Sequence, residues 1–432
     1  MSAPLRYLAL ALALPVISGG AALAHGTIPT ANAIQFMPDG TLLLGTNFGA
    51  IHRASSDTFI CETSVTGTQQ ALDLWRVLPD GSVAAAVIGA DFFRGVFHSD
   101  AAGCAFNLVP GTEDLAVVSL TVLGSDLLVA GTRPDACSDC PERGVVALVA
   151  LSGSSPTVTE LDTHGSPSTG AVTDGDTRLA VFSAPGSATV VSFAASGEAT
   201  RVEPALGEGV TLIPLGFGGG ALYAIGRGLE GDEVLVSADL GTSFTSLGNV
   251  RGRIQGFAAS TSRVWFQSPQ LGVLTRDGDA VVELEQSPHG GCLAHRDGRL
   301  YACGVPWQDG FAVGVSDDDG ATFQAVMPFF DGIAGARACE AELTATCDAE
   351  LDFLREYYGF SEIVEPGPEI SEVTEAPPEL VEPSPETSPE RERTRDEGCA
   401  GGHPTALIWA LGLALFGLRR LSGRARTRGA HG

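Results

Sequence analysis

The sequence predicts an all-β chain, and three observations carry that reading. Between about Thr27 and Pro328, short runs rich in Val, Leu, Ala and Phe alternate with Gly, Asp and Ser turns. No amphipathic helical stretch of any length interrupts them. The runs also recur as units beginning near Ala31, Ala71, Leu115, Ala171, Leu212, Gly256 and Cys292, at a spacing of about 35 to 55 residues. A unit of that length holds about four short strands, so the region predicts a single β-propeller of about seven four-stranded blades over residues 25–328.

Within a unit the phrase is an apolar run, a tight turn and a second apolar run, as in Ala33-Ile34-Gln35-Phe36, Met37-Pro38-Asp39-Gly40 and Thr41-Leu42-Leu43-Leu44-Gly45. Asp-Gly marks a hairpin because Gly supplies the positive φ such turns need. Cys292 and Cys303 stand symmetrically about Asp297-Gly298. A two-residue turn there sets them opposite each other as a disulfide, expected at a non-hydrogen-bonded position with Cα atoms ~4.5 Å apart.

The first residues, with Arg6, an apolar run from Leu8 to Ile17 and small residues ending Ala22-Leu23-Ala24, read as a secretory signal over residues 1–24, cleaved before His25. Export permits disulfides, and Cys61, Cys104, Cys137, Cys140, Cys292, Cys303, Cys339 and Cys347 form an even set. The segment 329–360, carrying Cys339 and Cys347, is expected to form a stapled helical or looped cap. From Ser361 to Glu397 come seven Pro and twelve acids against three Arg, the composition of an extended, disordered stalk (361–398). Then follow Gly398-Cys399, an uncharged run from Pro404 to Leu418, and Arg419, Arg420, Arg424, Arg426 and Arg428. That order predicts a short transmembrane helix with its Arg end in the cytoplasm and the propeller outside.

The tail, Cys after Gly followed by an apolar stretch and terminal Arg, resembles the MYXO-CTERM sorting tails of myxobacterial surface proteins. The resemblance implies a sorting machinery as partner and processing or lipid attachment at Cys399. Two further segments, Ser237-Ala238-Asp239-Leu240-Gly241-Thr242-Ser243-Phe244 and Ser316-Asp317-Asp318-Asp319-Gly320-Ala321-Thr322-Phe323, fit S-x-D-x-G-x-[TS]-[FW]. They resemble the Asp-boxes of BNR/sialidase-like propellers, with a degenerate copy at Ser99 to Phe106 in which Ala101 replaces the Asp. In such a box the carboxylate accepts backbone N–H groups, Gly takes a left-handed conformation and the aromatic packs in the sheet, so the box names a fold and no activity. Residues from His25-Gly26-Thr27-Ile28-Pro29 through Gly45-Thr46-Asn47-Phe48-Gly49, Cys61-Glu62 and Gly103-Cys104 resemble uncharacterised secreted propellers of the same type. That resemblance implies a Cys61–Cys104 pairing and supplies no substrate.

The chemistry the sequence excludes is also informative. All 25 basic residues are Arg and 52 acids outnumber them, giving a net charge of −27, which excludes nucleic acid as a partner and leaves no Lys for a Schiff base or a P-loop. Asp317, Asp318 and Asp319 could offer oxygens to calcium, but without an EF-hand's distal Glu no cofactor is expected. His25 as a copper chelate lacks its fold, and Cys137-Ser138-Asp139-Cys140 lies between β-runs, where a local disulfide is favoured over a redox or zinc motif. A sialidase needs an Arg clamp and a Tyr nucleophile; Thr27-Ile28-Pro29 stands where the first clamp Arg belongs, with Tyr223 and Tyr301 as the blade tyrosines and Arg76, Arg94, Arg227 and Arg276 as possible axial cations. The sequence therefore predicts no catalytic residues. It predicts a surface-anchored binding or structural module for a protein or glycan ligand, with a glycan hydrolase or an envelope assembly factor as alternatives.

Overall fold

The turns set the strands. Asp297 and Gly298 both take positive φ, 52° and 77°, which is the two-residue hairpin turn that matches strand twist, and they join Leu293–Arg296 to Arg299–Cys303 with Arg296 opposite Arg299. Repeated with variations, such hairpins make seven antiparallel meanders, each of four strands in sequence order. The computed structural model describes residues 30–358 except 69–71, 88–94, 101–102, 134–142, 153–154, 195 and 328–331. The signal sequence with His25, the Cys137–Cys140 pair, the stalk and the tail with Cys399 lie outside the described residues.

The innermost strands are Ala31–Phe36, Leu74–Val77, Ala116–Leu123, Ser168–Asp174, Thr211–Gly218, Gly256–Ala259 and Leu293–Arg296, so the seven units expected from the repeat are the seven blades of a propeller. No single core forms. The buried apolar residues instead make one wedge between each pair of neighbouring blades, for example Leu78, Val117, Leu120 and Val129 between blades 2 and 3, and Trp265, Val273, Leu293 and Leu300 between blades 6 and 7. A four-stranded sheet buried on both faces needs this arrangement, and the strands accordingly read as near-continuous apolar runs such as Val83–Ala86.

Each innermost strand leaves one edge unpaired, and a side chain from each blade donates to a carbonyl of the next. Asn32 Nδ2 reaches Leu72 O (3.2 Å), Arg76 Nε reaches Leu120 O (2.7 Å), and Thr121 Oγ1 reaches Ala171 O (2.8 Å). Thr169 Oγ1 reaches Leu212 O (2.6 Å), Arg227 Nη2 reaches Ile254 O (3.2 Å), and Gln267 Nε2 reaches Cys303 O (2.8 Å). Arg296 Nη1 to Met37 O (3.3 Å) returns the chain of bonds to blade 1. These seven bonds tie each blade to the next around the ring.

Blades 1 and 7 each use one contiguous stretch of chain, so no strand is exchanged between the two ends to close the circle. A C-terminal strap does that work. Strand Ile333–Ala336 pairs in parallel with the outer strand Asp57–Cys61 of blade 1, making that sheet five-stranded. The helix Ala341–Tyr358 then packs Cys347, Leu351 and Leu354 into the wedge between blades 7 and 1. The segment expected as a separate cap is thus built into the first sheet.

Three disulfides stand among the described residues. Cys292–Cys303 forms as the turn predicts, with Cα atoms 5.2 Å apart, but the backbone differs: Cys303 N donates to Cys292 O at 2.9 Å. Counting outward from the hydrogen-bonded Arg296–Arg299 pair, every second pair is hydrogen-bonded, and the cysteines fall on that parity. The implied Cys61–Cys104 pairing is wrong. Cys61 bonds Cys347 and Cys104 bonds Cys339. Cys61 ends the outer strand of blade 1 while Cys104 sits in a turn of blade 2, and the strap brings a separate partner to each.

Candidate functional site

The two Asp-boxes occupy the turns between the third and fourth strands of blades 5 and 7. Their bonds superimpose almost atom for atom. Ser237 Oγ donates to Asp239 Oδ1 and accepts Gly241 N, both at 2.7 Å, while Asp239 accepts Ser243 N (2.9 Å) and Ser243 Oγ (2.7 Å). Ser316, Asp318, Gly320 and Thr322 repeat this at 2.7, 2.7, 2.8 and 2.7 Å. Leu240 and Asp319, the residues before the glycines, are left-handed at φ 56° and 62°, a requirement the motif does not spell out. Phe244 and Phe323 pack against the wedges, and a Cβ on Gly241 or Gly320 would press on Val190 or Leu284 of the preceding blade. The boxes therefore dock one blade on the next. In the degenerate copy, Cys104 N donates to Asp100 Oδ1 at 3.0 Å, so Asp100, not the position of Ala101, plays the Asp, one residue early.

The hydroxyl and backbone N–H of Ser243, with Ser237, hold the Asp239 carboxyl down to about 2, and Thr322 with Ser316 does the same for Asp318. A depressed carboxyl contributes stability above its unfolded pKa near 4 and loses it as pH falls towards 2. An Asp239→Asn, Asp318→Asn double variant should therefore show a smaller drop in urea midpoint between pH 6 and pH 3 than the parent. Equal drops would mean that the boxes do not carry this linkage.

The three consecutive acids of the second box do not converge. Asp317 pairs with Arg299 (2.6 Å), Asp318 is spent on the turn and Asp319 pairs with Arg263 (3.3 Å). No group of three or more His, Cys, Asp or Glu able to hold a metal occurs among the described residues.

Two Ser/Thr–His–Asp look-alikes were not expected from the sequence. Ser82 Oγ contacts His98 Nε2 (3.0 Å) and donates to Asp80 Oδ1 (2.6 Å); Thr41, His52 and Asp39 repeat both distances in blade 1. In a nucleophilic triad the carboxylate orients the imidazole, whereas here it caps its own Pro-Asp-Gly turn. Desolvation lowers both histidines, so neither is held ready as a strong base.

Of the residues a sialidase reading would enlist, Tyr223 lies in the wedge between blades 5 and 6 with Arg276 Nη1 donating to its hydroxyl (2.8 Å). Tyr301 packs edge-on against Phe36 between blades 7 and 1. Arg276 opens on a hollow beside Arg263, and Arg94 lies outside the described residues. Arg76 and Arg227 do reach the axis.

The axial channel, about 650 Å³, is lined by the first strand of every blade. Its exposed wall is more polar than apolar, with Asn32, Ser119, Thr121, Thr169 and Gln255 set among Leu74, Val118, Ile213 and Phe257. The two cations in it differ. Arg227 grips Asp232 through Nε and Nη2, both 3.1 Å, and the same carboxylate accepts Arg253 Nη1 (2.9 Å) and Ile254 N (2.8 Å). Burial pushes Asp232 up, but the two guanidinium groups and the backbone N–H outweigh it and leave the carboxyl below its usual range. Arg76 is bonded to two carbonyls, Leu120 O and Trp75 O, each 2.7 Å away, and to no carboxylate among the described residues. Desolvation draws it down to about 10, which still leaves it cationic at neutral pH.

No protein-family model matches the chain, and no curated protein matches it. Solved structures with similar folds include U3-55K (12% identity, TM-score 0.48, covering 65% of this chain and 90% of that one). A streptogramin B lyase follows at 14% and 0.46, covering 63% and 89%. The extracellular domain of a one-component system protein from B. thetaiotaomicron stands at 8% and 0.47, covering 64% of this chain and 37% of that one. The propeller assignment rests on the strand pairing described above. No helix among the described residues is long and apolar enough to cross a membrane.

Proposed function

We propose that the protein is an exported, surface-held propeller that binds a ligand rather than transforming one. The observation that carries this reading is the axial channel: a preformed hollow of ligand size to which all seven blades contribute, lined by polar and apolar groups and holding the Arg76 guanidinium, which meets no carboxylate among the described residues. The disulfides support export, because Cys61–Cys347 and Cys104–Cys339 hold the ring closed and such bonds persist in oxidising compartments. On this reading the acidic stalk spaces the propeller from the envelope and the tail beginning at Cys399 holds it there.

Glycan and envelope-component arrays probed with the purified protein test the proposal. Retention of an intact arrayed compound is the expected result. Turnover of an arrayed glycan with release of a product would replace it with a hydrolase.

A further inference from the structure

Resting on that reading, we propose that the channel binds a small monocarboxylate with an apolar body, its carboxylate seated on Arg76. A guanidinium has five N–H donors, and the bonds to Leu120 O and Trp75 O use two of them. The three that remain are all on the terminal nitrogens, the edge that meets a carboxylate. The structural duty of Arg76, bridging blades 2 and 3, is thus complete with part of its donor set.

The surroundings narrow the ligand. A cation beside Leu74, Val118, Ile213 and Phe257 has lost solvation that no carboxylate among the described residues restores, and an incoming anion recovers it. Arg227 offers no second free charge, because Asp232 already holds it together with Arg253. One available cation among the described channel residues, in a chain of net charge −27, suits a single negative charge, whereas a phosphate dianion or polyanion would need several. Leu74, Val118, Ile213 and Phe257 give a hydrocarbon or aromatic body apolar contacts in an otherwise polar channel, which a bare anion would not use. The volume, about 650 Å³, falls within the range of roughly 300 to 1,000 Å³ that small-molecule sites occupy.

Titration calorimetry of the purified full-length protein with octanoate, octanamide and inorganic phosphate tests this. Octanoate should bind at one site, with octanamide and phosphate each at least about tenfold weaker, since charge and apolar body are both required. Arg76→Gln should weaken octanoate by at least about tenfold and Arg76→Lys by less, with melting curves confirming that both variants fold. Should Arg76→Gln not fold, the comparison of octanoate with its amide on the parent protein decides. Equal binding of acid and amide, absence of octanoate binding, or undiminished binding by folded Arg76→Gln would overturn the inference. Array ligands retained equally by folded Arg76→Gln would leave the binding reading standing while octanoate fails, so the two failures are distinguishable.

Discussion

Replacing Cys61 and Cys347 together by serine should lower the unfolding free energy by about 4–5 kcal/mol, the largest effect expected of any pair of side chains here. Cys104–Cys339 stays closed in that variant, so the loop this bond adds runs only through residues 61–104 and 339–347, about 50 residues, and in the chain-entropy account the loss grows with the logarithm of that loop. Because blades 1 and 7 share no exchanged strand, the strap is the covalent and hydrogen-bonded closure of the ring. Freed from Cys61, the helix Ala341–Tyr358 is still held by the packing of Leu351 and Leu354, by the strand Ile333–Ala336 and by Cys104–Cys339 just before it. Chemical denaturation under oxidising conditions measures the change, with Cys292→Ser, Cys303→Ser as the comparison. Its loop has a sequence separation of only 11, so its loss should be smaller by about 1 kcal/mol. A strap variant no less stable than the hairpin variant would mean that the wedges, the Ile333–Ala336 strand and Cys104–Cys339 close the ring without the Cys61–Cys347 bond.

Trp265→Ala should cost about 3–5 kcal/mol, as truncation of a fully buried Trp commonly does. Trp265 is 1% exposed, stacks on His295 with centroids 5.4 Å apart, and donates its indole N–H to Asp319 O at 2.9 Å. It therefore joins blade 6 to the Asp-box turn of blade 7, and its removal opens a wedge and orphans a carbonyl at once. Trp265→Phe keeps most of the volume and loses the hydrogen bond, so about 1–2 kcal/mol is expected. Thermal unfolding of the two variants measures both. Equal losses would show that the bond, and not the packing, holds the interface.

Much of this fold was legible because its signals are local. Asp-Gly fixes a hairpin wherever it stands, and the apolar runs placed the innermost strands within a few residues, Leu212 against the observed Thr211 and Gly256 at Gly256 itself. The Asp-boxes were equally plain, since Ser, Asp and Gly make their bonds within five residues of one another. The site was not legible in the same way. Arg76 is one Arg among 25, and nothing adjacent to it in sequence says that it meets Leu120 O across a blade boundary while Arg227 meets a carboxylate.

The sequence by itself determined the β class, the seven repeats, the Asp-box turns and the Cys292–Cys303 bridge, all of which depend on residues within one hairpin or one spacing. Only the tertiary structure decided how the ring closes, which cysteines serve the strap, and which channel cation meets no carboxylate among the described residues. Those outcomes depend on groups separated by 286, 235 and 44 residues that meet only once every blade is seated. Periodicity along a chain records which face of a strand is buried, and carries no record of which distant strand buries it.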